Sequence, residues 1–236
     1  MDMIRGRTYL EAWEKSYSRG DNNILYPQSE VIRFLNRFIN KRNHDGTRSK
    51  KLRENTRHTM TGLDFACGVG THCLMFNDFE IEGYGVDISE TAINIAKMRA
   101  RQIGVSEDRF QVIDEKAKKL PFNDNSFDFI VAESCLDSMP FSAAKSYVQE
   151  FKRITRGLIY ASFFAHNDST DSDEFLVSTK HEEGTIQSVY DEEKICNLFG
   201  VEVNDFKYFI KSTEVDTKSK LISSSRFHCV ISGPWG

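Results

Sequence analysis

Leu63-Asp64-Phe65-Ala66-Cys67-Gly68-Val69-Gly70-Thr71-His72 is an apolar strand that ends in a carboxylate and then breaks into a loop of very small residues opening a helix. Such a turn lets backbone N–H groups approach a polar ligand closely, with the positive end of a helix behind them. Glycine loops after strands serve several cofactors, so this stretch marks a small-molecule site without naming its ligand.

Three further features follow at the spacing of a single pocket. A second strand, Gly83-Tyr84-Gly85-Val86, ends in Asp87-Ile88. A third, Phe110-Gln111-Val112-Ile113, ends in Asp114, and the block Leu120-Pro121-Phe122-Asn123-Asp124-Asn125-Ser126-Phe127-Asp128 leads into a fourth. From Thr59 onward strand and helix signals alternate, which argues for a parallel sheet covered by helices. Ser89 caps a helix with Ile93, Ala96, Ala100 and Ile103 on one face and Gly104 at its end. Ser142 opens another, with Ala144, Tyr147, Val148, Phe151 and Ile154 facing inward, and Gly157 turns into a fifth strand, Leu158 to Phe164.

Taken together, these motifs resemble the class I S-adenosylmethionine-dependent methyltransferases, in the type-11-like branch that carries LDxxCGxG, GxDxS and LPFxDxSFDxV blocks. The resemblance covers residues 59 to 165 in register and the C-terminal third more loosely. It implies a Rossmann-like α/β fold: a seven-stranded, mostly parallel sheet with a reversed last hairpin, helices on both faces, and S-adenosylmethionine lying across the carboxyl ends of the first strands. By the same resemblance Asp64 orders the glycine loop or approaches the cofactor's amino group. Asp87 accepts the two ribose hydroxyls, Ile88 lies on the adenine face, and Asp114 meets the adenine amino group with the backbone N–H of Glu115 nearby. Glu133 and Ser134 sit beside the methionine part and the methyl group. Ala66, Gly68 and Gly70 serve by being small. Ala66 stands where glycine is commonest, a departure expected to be tolerated with a negative φ.

Length and charge bound the rest. At 236 residues the chain is read as one domain that buries roughly three quarters of its unfolded surface. Its expected parts are an N-terminal helical brace and basic linker (1–58), a cofactor-binding core (59–165), and a substrate loop with a C-terminal strand pair (166–236). A net charge of −4 and a pI near 5.9 argue against a generally basic nucleic-acid-binding surface. Five cysteines without a C-x-x-C pair fit a reducing compartment, and no metal set is assigned. With no signal-peptide core and no apolar run long enough to span a bilayer, a cytoplasmic protein without membrane insertion is expected.

Before the first core strand, one helix is expected around Tyr9 to Tyr17. A second carries Val31, Phe34, Leu35, Phe38 and Ile39 on one stripe. Trp13, Tyr17 and Tyr26 either close over the cofactor site, with Tyr17 touching it, or pin the brace to the sheet. Residues 41–58, rich in Lys and Arg, read as a solvated linker or, alternatively, as a cationic flap for an anionic substrate. His166 to Glu183 reads as an irregular acidic loop. The last helix is expected over Asp191 to Phe199, followed by strands over Val201 to Ile210 and Arg226 to Ser232.

A sulfonium methyl is already activated, so the protein must align, exclude water and take up a proton. Asp137, His166 and His181 are the candidate bases, because they follow the fourth and fifth strands. The acceptor is expected to be a small molecule with an oxygen or nitrogen nucleophile. The alternatives are an RNA or protein methyltransferase and a non-catalytic cofactor-binding scaffold. Cys73 occupies the third glycine position of a dinucleotide fingerprint, which places an oxidoreductase behind all of these. The absence of Asn/Asp-Pro-Pro-Tyr after the fourth strand disfavours nucleic-acid amino-methylation. Oligomeric state is left open.

Overall fold

A computed structural model describes residues 9–52, 59–117, 119–165, 173–218 and 222–233. Helices α1 (Tyr9–Arg19) and α2 (Ser29–Phe34) come first, α2 continuing through a wider π turn, Leu35–Ile39. A small antiparallel hairpin follows, β1 (Asn40–Arg42) with β2 (Arg48–Lys50). The core then alternates: β3 (Met60–Phe65), α3 (Thr71–Met75), β4 (Ile81–Asp87), α4 (Glu90–Gln102), β5 (Phe110–Val112), β6 (Phe127–Ala132), α5 (Phe141–Ile154) and β7 (Thr155–Phe164). A second hairpin, β8 (Glu174–Leu176) with β9 (Ile186–Ser188), precedes α6 (Glu192–Phe199), β10 (Tyr208–Val215) and β11 (Ile222–Ser232).

Seven strands form one sheet in the order β10-β11-β7-β6-β3-β4-β5. The five central and far strands run parallel, and β11 is antiparallel to both neighbours. The chain thus has the Rossmann-like α/β fold with a reversed strand that the motifs imply. Alternation along β6 assigns the two faces. Ile130 and Ala132 meet α5 and α6 through Val148, Phe151, Leu198 and Phe199. Phe129 and Val131 meet α2 through Val31, Phe34, Leu35 and Ile39. The π turn in α2 keeps Ile39 in that layer while leaving Phe38 only half-buried.

The LPFNDNSFD block serves the fold. Arg153, near the end of α5, donates to the carbonyls of Leu120 and Phe122 and pairs with Asp124 and Glu150. Phe122 packs edge-on against Phe127. Gly157, read as a turn, instead lies inside β7, which begins directly at Thr155. A Cβ there would meet the Asp128 carbonyl at 2.1 Å, so glycine is required for the strands to approach. The residues expected as linker include the β1–β2 hairpin, which packs at the amino end of β4. Arg48 there pairs with Glu80 and stacks on Phe79. The hairpin β8–β9 likewise replaces part of the expected irregular loop, and β10 starts at Tyr208, later than the sequence suggests. No described helix is long and apolar enough to cross a membrane.

Candidate functional site

At the carboxyl ends of β3, β4, β5 and β6 lies a cavity of about 570 Å³, in the range that holds a drug-sized ligand. Its floor and one side are Phe65, Ala66, Asp87, Ile88 and Ile113, with Glu115 and Lys116 beyond them. The opposite wall is Ser134, Cys135, Met139, Pro140, Ala143 and Tyr147, from the β6–α5 connection and the first turns of α5. Tyr9, Trp13 and Tyr17 of α1 close it from above.

The glycine loop is built around two carboxylates. Asp87, buried at the tip of β4, accepts from the backbone N–H of Gly68 at 2.8 Å and of Ser89 at 2.9 Å. These two bonds use about half of its lone-pair sites, leaving acceptor capacity toward the cavity. Burial pushes the Asp87 carboxyl up to about 6, against the backbone N–H groups of Ser89, Gly68 and Ile88, which pull it down. Asp64, 1% exposed, accepts from the N–H of Cys73 in the first turn of α3 at 3.1 Å. It is absent from the cavity lining, so its geometry is that of a loop-ordering group. Burial, reinforced by Asp87 and Glu133, raises it to about 8.

Gly68 and Gly70 both adopt positive φ, 53° and 79°. A Cβ on Gly68 would come within 2.7 Å of the Tyr17 hydroxyl, and one on Gly70 within 2.9 Å of the Phe110 ring. Ala66 also has positive φ, 55°, contrary to the expected negative value. Ser134 shares this conformation at 51°. Two of the four described non-glycine residues with positive φ therefore flank the cavity, where stored backbone strain is commonly found.

Helix α1 is held down by polar contacts at both ends. Glu115 accepts from the N–H of Leu10 at 3.3 Å. Glu14 accepts from the N–H groups of Glu90 and Thr91, while Ser89 caps Ala92, so the orphan donors of the first turn of α4 all find partners. Ser16 and Asn22 donate to the carbonyl of His181, tying α1 to the β8–β9 hairpin. Tyr17, half-buried, lies over the glycine loop, and desolvation with the nearby Asp87 holds its phenol protonated.

The structure thus brings together Tyr17, Ala66, Gly68, Asp87, Ile88 and Glu115. It leaves Asp114 out: that carboxylate is exposed and closes a turn onto the N–H of Lys116. Alternation past β5 turns Ile113 and Glu115 inward instead. Glu133 lies just behind the wall, accepting from Ser134 Oγ at 3.0 Å and from the Tyr160 hydroxyl at 2.8 Å. Of the candidate bases, Asp137 is 1% exposed, is absent from the lining, and accepts from the Phe164 N–H and Arg226 Nη2, both at 2.7 Å. That carboxylate is a structural tie and has no access to the cavity. His181 lies in the hairpin turn with its side chain 54% exposed and away from the cavity. His166 is outside the described residues. Tyr26, 84% exposed, takes no part in the lid. Sequence reasoning missed Tyr9 and Met139, and it read Tyr147 as plain core. The helical spacing that placed Tyr147 inward also aims it at the mouth of the cavity, between Phe65 and α1.

Residues 63–158 match the protein family described as "Methyltransferase domain". An uncharacterized methyltransferase of Bacillus subtilis is 33% identical over 94 residues, 40% of this chain and 36% of the relative. A demethylmenaquinone methyltransferase of Geobacillus kaustophilus is 27% identical over 126 residues, 52% of each. The chain therefore spans about a third to a half of the length of these relatives. Among solved structures, a SAM-dependent methyltransferase from Methanosarcina mazei superposes with a TM-score of 0.59 at 21% identity, over 75% of this chain and 93% of the other. Motifs, strand order and the matched segment agree: residues 63–158 carry the signature of a methyltransferase domain, on the Rossmann-like sheet of the S-adenosylmethionine-dependent methyltransferases.

Proposed function

We propose that this protein transfers the methyl group of S-adenosylmethionine to the oxygen or nitrogen of a small, largely apolar acceptor. The observation that carries the reading is the shape and lining of one cavity. A buried carboxylate and a glycine loop form one half, and aromatic and apolar side chains form the other. Asp87 would hold the ribose hydroxyls, whose donors offset the desolvation that raises its carboxyl. Ile88 and Ile113 would flank the adenine, and the loop from Ala66 to Gly70, covered by Tyr17, would take the amino-acid end. The bound cofactor supplies an already activated methyl group.

The chain's own contribution is placement and dryness. Trp13, Tyr9 and Tyr147 exclude water, and such positioning supplies on the order of 7–11 kcal/mol of barrier reduction in well-aligned systems. Among the described residues Lys116 is the single cationic side chain in the lining, which suits a neutral acceptor and gives a phosphate backbone little to bind. The basic β1–β2 hairpin packs at the opposite, amino end of the sheet, away from the mouth. This placement favours the solvated reading of the segment over a cationic flap, while residues 53–58 lie outside the described residues.

Incubation with methyl-labelled cofactor and two acceptor sets tests the reading. One set holds neutral aromatic and alicyclic alcohols, phenols and amines; the other holds structured RNA and unfolded protein. Label is expected in the first set alone, and transfer to RNA or protein would overturn the acceptor class.

A further inference from the structure

We propose that Glu133, Tyr160, His228 and Ser212 form a two-state proton path leading from Ser134 on the cavity wall to solvent at the edge strand of the sheet. The proposal rests on the methyl-transfer reading above, because that reaction releases one proton for each neutral acceptor methylated.

Strand alternation puts the four groups on a single face. Glu133 follows Val131 by two residues. Tyr160, which pairs with Val131, and Val230, which pairs with Tyr160, belong to the same layer against α2. His228 precedes Val230 by two, and Ser212 follows its partner Ile210 by two. The side chains meet in series across β6, β7, β11 and β10. Tyr160 OH lies 2.8 Å from Glu133 Oε2 and 3.0 Å from His228 Nδ1, and His228 Nε2 lies 3.2 Å from Ser212 Oγ. Tyr160 and His228 are buried, whereas Ser212 is exposed. At the inner end, Ser134 lines the cavity and donates to Glu133 Oε1.

Counting protons makes the chain directional. The phenol has one hydrogen and the neutral imidazole has one. With Glu133 ionised, Tyr160 donates to it, so Nδ1 must carry the imidazole proton and donate to the phenol oxygen, and Nε2 accepts from Ser212. With Glu133 protonated, each bond reverses: Glu133 donates to Tyr160, Tyr160 donates to Nδ1, and the imidazole proton sits on Nε2 facing Ser212. Passing one proton outward from this second state, onto Ser212 and then water, restores the first. The step that loads the path is balanced in the same way. The acceptor's X–H bond breaks as X–C forms and the methyl–sulfur bond breaks with its electron pair left on sulfur. The acceptor's proton goes to Ser134 Oγ, the proton of Ser134 goes to Glu133 Oε1, and a half-turn of the carboxyl then presents it to Tyr160.

Burial keeps the imidazole neutral, as the path requires, pushing His228 below the usual histidine range. The charged groups facing it are Glu133 from the end of β6, Glu30 and Arg33 from α2, and Arg226 from β11 itself. Burial and the adjoining Glu133 carboxylate hold the Tyr160 hydroxyl protonated. Ser212 can also turn its hydrogen to the Arg226 carbonyl at 3.3 Å, which leaves it free to receive a proton from Nε2.

The tautomer of His228 reads the state directly, by long-range proton–nitrogen correlation NMR on the full chain with labelled histidine. Nδ1–H is expected in the native protein and Nε2–H in Glu133→Gln, whose amide donates to Tyr160 as the protonated acid would. In the Tyr160→Phe background the Glu133→Gln change is expected to leave the tautomer where it was. The same tautomer with and without Glu133→Gln, or a switch that persists without Tyr160, would overturn the path. Should the Gln variant fail to fold, acidifying the native protein gives the same reading. The Glu133 carboxyl carbon shift marks protonation, and protonation without a tautomer change overturns the proposal. Calorimetric binding of S-adenosylhomocysteine to the same samples is a separate readout. Its absence would remove the methyl-transfer reading and leave the tautomer result standing.

Discussion

Asp64 and Asp87 end neighbouring strands, and burial raises both toward the neutral acid, to about 8 and about 6 from the usual 3.8. A carboxyl whose folded-state pKa is raised contributes stability that is full below its unfolded value and is lost as pH rises through the folded value. The ligand-free protein is therefore expected to lose thermal stability between about pH 4 and pH 8, with the Asp87 part gone by about pH 6. Melting curves across that range check the slope. Asp64→Asn, which keeps an oxygen for the Cys73 N–H, is expected to flatten its upper half. Asp87→Ala is expected to abolish S-adenosylhomocysteine binding while the protein still melts cooperatively. Retained affinity in that variant would contradict the pocket assignment. Ala66, at positive φ, bears a cost of roughly 1–2 kcal/mol that glycine avoids, partly offset by glycine's greater unfolded freedom. Ala66→Gly is expected to raise stability by about 0.5–1 kcal/mol in urea titration. At this scale the sequence led to Asp87 in the cavity wall and to glycines at positive φ beside it, because a carboxylate or a glycine at a strand tip has few other reasons to be there; their hold on a cofactor is what the variants test. It misplaced Asp114, because the choice between Asp114 and Glu115 depends on where the last strand pairing stops.

At the scale of elements, α1 is the part whose position matters most for the cavity. Its packing stripe is weak, and Ser16 is its only fully buried residue. Docking therefore relies on Tyr17, on Glu14 at the start of α4, and on Glu115 at its own first turn. Glu14→Ala is expected to cost about 1 kcal/mol, as loss of a helix-terminal partner does, and to speed proteolysis within 9–19. Urea titration and limited digestion measure the two effects. Helix α4 was legible from its Ser89 cap and its period; α5 was legible from period alone, since it opens at Phe141 after Pro140 with no side-chain cap, and the expected opener Ser142 lies inside it. The hairpins β1–β2 and β8–β9 were not, since three-residue strands of mixed polar sequence show no alternation to read. The lid was legible only in part: the spacing of Trp13 and Tyr17 gave a helix face, but what that face covers depends on tertiary docking.

Across the whole molecule, the β6–α5 connection, β7 and β11 are joined by the Asp137–Arg226 pair, whose carboxylate is buried and whose guanidinium is half-buried among the strands that close the sheet. Removing the carboxylate leaves the Phe164 N–H and a half-buried guanidinium without their acceptor, and water reaches part of that guanidinium, so Asp137→Ala is expected to destabilise the fold by about 3 kcal/mol, the low end for a buried pair. A fully stable variant with impaired methyl transfer would instead restore Asp137 as a base. The seven-stranded, mostly parallel sheet with a reversed hairpin followed from the motif resemblance, and its strand order could not have come from periodicity, which fixes faces but not neighbours. Why Asp137 was misread has the same origin: its position after β6 points to the cavity, but its partner lies 89 residues away in β11.

The central claim is that the cavity over β3 to β6 is a site for S-adenosylmethionine, and parallel calorimetric titration of the purified protein with S-adenosylmethionine, S-adenosylhomocysteine and NAD tests it most directly. Micromolar binding of the first two with no heat from NAD is the expected result. Preference for NAD would contradict the account.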